Sequence, residues 1–152
     1  MKLRGNVTIG AMHGKELLKK YYLRLINILG YEPFKGTLDI KLEKSIDIKH
    51  YAKNNIEHIL LDGSVKVYAY LAPVIVSAKG QDVECWAIRQ PESAYEDDLL
   101  EIVYKENLRE KLSLQNGDEV EITFFEQRQK KNIPGLGLVR KIYGVDRQLM
   151  KS

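Results

Sequence analysis

Cysteine is nearly absent: Cys85 is the only one in 152 residues. One thiol excludes an internal disulfide and any metal site built from several cysteines. It sits in the alternating run Val83-Glu84-Cys85-Trp86-Ala87-Ile88, where a buried small hydrophobe is the expected role. An excess of one charge is also lacking. The chain has 24 basic and 21 acidic residues, a net charge of +3, which tolerates an anionic ligand without demanding nucleic acid. Histidines number three. His50 and His58 have no third ligand near them in sequence and His13 is remote, so a histidine-bound metal has no support. No apolar run approaches membrane-spanning length and the N-terminus shows no signal-peptide core, so the expectation is a cytoplasmic protein without a membrane partner.

What is present is an ordinary globular composition, 44% apolar and 30% charged, with nine tyrosines that favour strands and half-wet surfaces. Its length suits one hydrophobic core. Leu3 to Ile9 alternates as a first strand and ends in Gly10-Ala11-Met12-His13-Gly14. Glycines spaced in this way can bring backbone amides to a phosphate, or can simply turn the chain into a helix. From Lys15 to Leu29, the stripe Leu18, Tyr22, Leu25 and Leu29 predicts one helix, with Lys19, Lys20 and Arg24 on its basic side.

The chain is organised around Leu29 to Leu42, where helical periodicity gives way to alternation. Gly30 stops the helix and Pro33 prevents its resumption. After Gly36, the residues Leu38, Ile40 and Leu42 point one way, and Thr37, Asp39 and Lys41 the other. A hydroxyl and a carboxylate on one strand face suit Mg2+ and a phosphorylated substrate; equally, they suit a solvated face. Downstream, Ile56 to Leu61, Ser64 to Ser77, the Cys85 run, Leu99 to Tyr104 and Val120 to Phe124 read as strands. Asp62-Gly63 and Lys79-Gly80 mark hairpins, and Pro73 marks a bend or an edge. Arg89 to Asp98 is a polar loop of a size that often borders a site. Asn107 caps a short second helix, with Glu110 as its capping-box partner. Many short strands with two helices predict a small, closed or nearly closed barrel.

Leu29 to Leu42 resembles the signature of the archaeal CTP-dependent riboflavin kinases: leucine-glycine-aromatic-x-proline-aromatic-x-glycine-threonine-leucine-asparagine. The resemblance runs more thinly from Gly5 to about Phe125, through the Gly5-Asn6-Val7 strand, Leu100-Glu101-Ile102, Leu108-Arg109 and Gly117-Asp118. It implies an all-β dominated fold, a six-stranded cradle-loop β-barrel with one main helix and a short second one. It implies a barrel domain over 1–126, followed by a basic C-terminal extension over 127–152. The implied reaction transfers the terminal phosphate of CTP to riboflavin, giving FMN, with Mg2+ as cofactor, in a monomeric protein. By the same resemblance, Gly10, Ala11, Met12, His13, Gly14 and Lys15 lie beside the nucleotide. Thr37 and Asp39 hold the metal, and Glu101 sits near the flavin. Three positions depart from the pattern: Asp39 replaces asparagine, Met12 a middle glycine, and Tyr104-Lys105 an alanine-proline pair. The other class of reading is a non-catalytic barrel module that binds a protein, nucleic acid or flavin. Nucleic acid is the weaker option, because stacking aromatics are sparse in the basic extension.

Overall fold

The computed structural model of the protein describes residues 1–9, 13–91 and 98–127. Its strands are β1 (Lys2–Thr8), β2 (Leu38–Leu42), β3 (Asn54–Ile59), β4 (Val65–Ala78), β5 (Gln81–Arg89), β6 (Leu99–Val103) and β7 (Glu119–Phe124). Its helices are α1 (His13–Lys20), α2 (Tyr22–Leu29), α3 (Ile48–Tyr51) and α4 (Leu108–Lys111). The expected all-β, six-stranded barrel with one main helix is therefore corrected. The fold is mixed α/β: one seven-stranded sheet in the order β3-β4-β5-β6-β2-β1-β7, with four helices among the described residues.

The short helix expected behind Asn107 is α4, and the additional short helix is α3; each has only four residues and is held by its cap. Asp47 accepts from the Lys49 amide at the start of α3, and Asn107 accepts from the Arg109 and Glu110 amides at the start of α4. The single helix predicted from Lys15 to Leu29 is two. Tyr21 leaves helical geometry at φ −112°, ψ 27°, although the bonds from Tyr21 N to Leu17 O and from Leu25 N to Tyr21 O run through the junction. Gly30 ends α2 at φ +81°, in the left-handed region, with its amide on Ile26 O.

The length of β4 is what gives it partners along both edges. Its 14 residues pair with β5 along one edge. Along the other edge they pair with β3 as far as Leu71 and with β7 from Val74. Pro73 falls between those two partners, where its missing N–H breaks no ladder bond. The Lys79-Gly80 turn into β5 has φ of 53° and 77°, the handedness that matches twisted hairpins.

Two apolar clusters result. One gathers inward-facing residues of β1, β2, β4, β5, β6 and β7 with α3 and α4, among them Ile40, Leu100, Ile122 and Phe124. The other packs Leu17, Leu18, Tyr21, Leu25 and Leu29 of the α1–α2 segment on Ile56, Leu71, Ile88 and Val103. No helix among the described residues is long and apolar enough to cross a membrane.

Gly5 lets β2 lie close over β1. A Cβ there would stand 2.5 Å from Ile40 Cγ2 and 2.8 Å from the Lys41 carbonyl oxygen. The backbone oxygen cannot swing aside, so Gly5→Ala is expected to cost about 2 kcal/mol in chemical denaturation. Cys85 is buried, 3% exposed, and burial pushes its thiol up to about 12 from an ordinary 9.0. Native protein should therefore resist alkylation by iodoacetamide at pH 8, whereas unfolded protein should react. Above pH 9 the unfolded thiol ionises and the buried one does not, so the Cys85 contribution to stability falls as pH rises.

Candidate active site

Thr37 and Asp39 stand at the head of β2, the strand between β1 and β6. In the register, Asp39 faces Thr8 on one side and Glu101 on the other. Alternation left the face of Thr37 and Asp39 open between a ligand site and a solvated face; Asp39 is buried, 6% exposed, and Glu101 3% exposed. Both carboxylates meet one hydroxyl. Thr37 Oγ1 lies 2.9 Å from Asp39 Oδ1 and 3.1 Å from Glu101 Oε2. A hydroxyl has one proton to donate and two acceptors compete for it. Facing carboxylates on paired strands are otherwise unfavourable, so this arrangement marks a site that favours a positive or proton-bearing group between them.

The donor set is entirely hard oxygen. It fits Mg2+, which takes one or two carboxylates and completes its shell with water and phosphate oxygens. Among the described residues no group of three or more His, Cys, Asp and Glu side chains is placed to hold an ion. The protein therefore offers two carboxylates and a hydroxyl rather than a closed metal cage.

Beside Thr37 lies a cavity of about 120 Å3, lined by Phe34, Leu38, Tyr104, Asn107 and Arg109 among others. Arg109 is fixed there by a 3.0 Å bond from its guanidinium to the Thr8 carbonyl. The Phe34 amide donates to the Tyr104 carbonyl at 2.7 Å, which latches the Pro33 turn to the end of β6. Tyr31 and Tyr104 meet edge to face, 6.0 Å between centroids, and burial raises the Tyr31 phenol well above its ordinary pKa, so it stays neutral. Tyr104, a departure from the family pattern, thus contributes a backbone acceptor and a ring contact.

The structure brings Thr37, Asp39 and Glu101 together. Gly10, Ala11 and Met12 lie outside the described residues. His13 and Gly14 form the first turn of α1, and Lys15 follows as an exposed residue on the same helix. The acidic residues Glu96 and Asp97 and the basic run from Arg128 onward also lie outside the described residues. Lys41, which shares the expected strand face of Thr37 and Asp39, is paired with Asp98 at 2.9 Å. Arg109 and Phe34 were not singled out as site residues by sequence reasoning. The signal for Arg109 was its position behind the Asn107 cap, and for Phe34 its place in the turn before Thr37.

Thr37→Val keeps the shape and removes the shared hydroxyl. It is expected to lower stability by about 1–2 kcal/mol in urea denaturation, whereas Thr37→Ser should remain close to wild type.

The same stretch of chain matches known proteins. The CTP-dependent riboflavin kinase family model, described as a domain of unknown function, DUF120, matches residues 7–124. The protein called riboflavin kinase in Methanococcus vannielii is 32% identical over 127 residues, which is 80% of this chain and 96% of that one. Its namesake in Pyrobaculum islandicum is 32% identical over 129 residues, 82% of this chain but 61% of its own. The one in Methanospirillum hungatei is 30% identical over 125 residues, 80% of this chain and 57% of its own. The chain thus spans nearly all of the first relative and about three-fifths of the other two. With more than half of its length matched by the family model, the chain belongs to the CTP-dependent riboflavin kinase family.

Proposed function

We propose that this protein transfers the terminal phosphate of CTP to the 5'-hydroxyl of riboflavin, with Mg2+, giving FMN and CDP. The observation that carries the reading is the Thr37 hydroxyl set between Asp39 and Glu101, inside the stretch of strongest resemblance to the family. In the reaction the bond from the γ-phosphorus to the β–γ bridging oxygen breaks, a bond to the riboflavin 5'-oxygen forms, and the hydroxyl proton passes to solvent. Catalysis of this kind is mostly alignment and neutralisation of phosphate charge, so no dedicated base is required.

Thr37 and Asp39 would hold the ion, one as a neutral oxygen and the other as a charged one. The chemistry that Mg2+ supplies when bound is neutralisation of charge on the phosphate oxygens. Asp39 sits on a strand paired on both sides, so its carboxylate is positioned before substrate arrives. Glu101 Oε2 accepts from a hydroxyl of the flavin side chain and holds it toward the phosphate. Arg109, anchored on Thr8, contributes positive charge to the wall of the small cavity. Backbone amides of the Gly10 to Lys15 segment serve the nucleotide. The activity is assigned to residues 1–126, with the basic stretch 127–152 as an appendage to it.

The test is FMN formation from riboflavin and Mg2+ with CTP and, separately, with ATP. Wild type should form FMN with CTP. Thr37→Ala and Asp39→Ala should each lose about a hundredfold or more in kcat/KM. No FMN from either nucleotide, or full activity in both variants, would reject the reading and leave a non-catalytic binding module. FMN formed from ATP alone would keep the reaction and overturn the choice of nucleotide.

A further inference from the structure

Among the described residues, β3 is the strand whose outer edge is open. The other strands are paired along both edges, because β4 joins β7 as well as β3 and β5. In the β3–β4 ladder the Leu60 amide donates to the Ser64 carbonyl, so Leu60–Ser64 and His58–Lys66 are the hydrogen-bonded pairs. Glu57 and Ile59, which alternate with them, turn their backbone groups outward. The Arg24 guanidinium donates to the Glu57 carbonyl at 3.0 Å. The Glu57 amide and both backbone groups of Ile59 remain directed away from the sheet. An edge of this kind is a template for another strand.

The hairpin that ends this strand is apolar at its tip. Of the exposed large apolar side chains among the described residues, Ile59, Leu60, Leu61 and Val65 fall in one short stretch. Ile59 is 79% exposed and Leu61 fully so, and Ile59 stands opposite Val65 in the register. The turn itself does not need them. The Asp62 carboxylate accepts from the Ser64 amide at 2.8 Å and from the Ser64 hydroxyl, and Gly63 supplies a φ of +85°. Apolar groups gathered in this way mark a contact surface.

The chain itself supplies an occupant of matching length and chemistry. β7 and β3 lie on the same edge of β4 and run in the same direction: Glu121 to Phe124 pass Ser77 to Val74, and Asn54 to Ile59 pass Leu71 to Val65. The chain therefore leaves β7 heading for the start of β3. Glu126 is held there by His50 of α3 at 3.0 Å, and Gln127 follows. The six residues of β3 cover about 20 Å, which is the reach of about six extended residues beyond Gln127. At that distance the sequence turns apolar, with Ile133-Pro134-Gly135-Leu136-Gly137-Leu138-Val139 after the polar Arg128-Gln129-Lys130-Lys131-Asn132. We propose that residues 128–139 run along the outer edge of β3, parallel to it, with Ile133, Leu136 and Leu138 on Ile59, Leu61 and Val65. Lys130, Lys131 and Pro134 then belong to the new outer edge, where lysine and proline deter further pairing. This docking does not depend on the phosphotransferase reading.

Hydrogen exchange of the full chain, read by mass spectrometry on a peptide covering 55–61, tests this. The double variant Leu136→Asp, Leu138→Asp changes no residue of the sheet or helices. In it the Glu57 and Ile59 amides should exchange about tenfold faster than in wild type. Limited trypsin digestion reads the other partner. Leu61→Asp alters only the exposed tip and should speed cleavage after Arg128, Lys130 and Lys131 about fivefold or more. Leu149→Asp is the control, the same kind of change outside 128–139, and should match wild type in both measurements. Equal exchange in wild type and the double variant would overturn the proposal. So would the same loss of protection in Leu149→Asp, or trypsin cleavage that Leu61→Asp does not alter. Protection of 55–61 that rises with protein concentration, together with a dimer in sedimentation, would overturn it as well and give the edge to a second copy of the chain.

Discussion

The pairing of β2 with β6 puts two carboxylates opposite one another inside the protein, and the rest of the site depends on that placement. Asp39 and Glu101 stand opposite one another in register, both buried, and both in contact with the Thr37 hydroxyl. Like charges in this position are a local cost, and a small domain tolerates it only when surrounding structure leaves the strands no alternative. β1 on the far side of β2 supplies part of that constraint. Gly5 permits the close approach of Ile40 and Lys41, and so the register that sets Asp39 beside Thr8.

Buried Arg89 supplies another part. Its guanidinium donates to the Ile46 carbonyl at 3.1 Å and to the Leu99 carbonyl. Ile46 follows β2 and Leu99 opens β6, so one side chain ties together the far ends of the two strands that carry the carboxylates. Charge-assisted bonds to backbone carbonyls are among the stronger polar contacts available in a protein interior. The α1–α2 layer is held differently, by a separate apolar cluster on the outer side of β3, β4 and β5. A cleft opens between that layer and the Pro33 turn, while the small cavity belongs to the sheet end. Phe34, latched to Tyr104 through its amide, sits where the two supports meet.

The short range of some structural causes explains which elements could be read from the chain. Hairpin turns at Asp62-Gly63 and Lys79-Gly80, the stop at Gly30 and the cap at Asn107 each depend on a few adjacent residues, and each is found where the local chemistry puts it. The expected barrel with one main helix failed on features of longer range. β4 accepts three partners because its 14 residues outlast both β3 and β7, and nothing in its own alternation tells how many strands will find it. Likewise Lys15 to Leu29 has a continuous apolar stripe, yet the backbone departs from the helix at Tyr21, whose ring packs against His58 and Tyr68 from distant strands.

For the site, the order Thr37-Leu38-Asp39 and its glycine and proline preface were legible, because a strand start and a pair of oxygen groups are local properties. So was the family resemblance. What tertiary structure alone decided was that Asp39 is buried rather than solvated, that Glu101 lies 3.1 Å from the same hydroxyl across 64 positions of chain, and that Arg109 closes the adjoining wall from Thr8. Alternation assigns a side chain to one face of a strand. Only the neighbouring strands and helices determine whether that face meets water or another carboxylate.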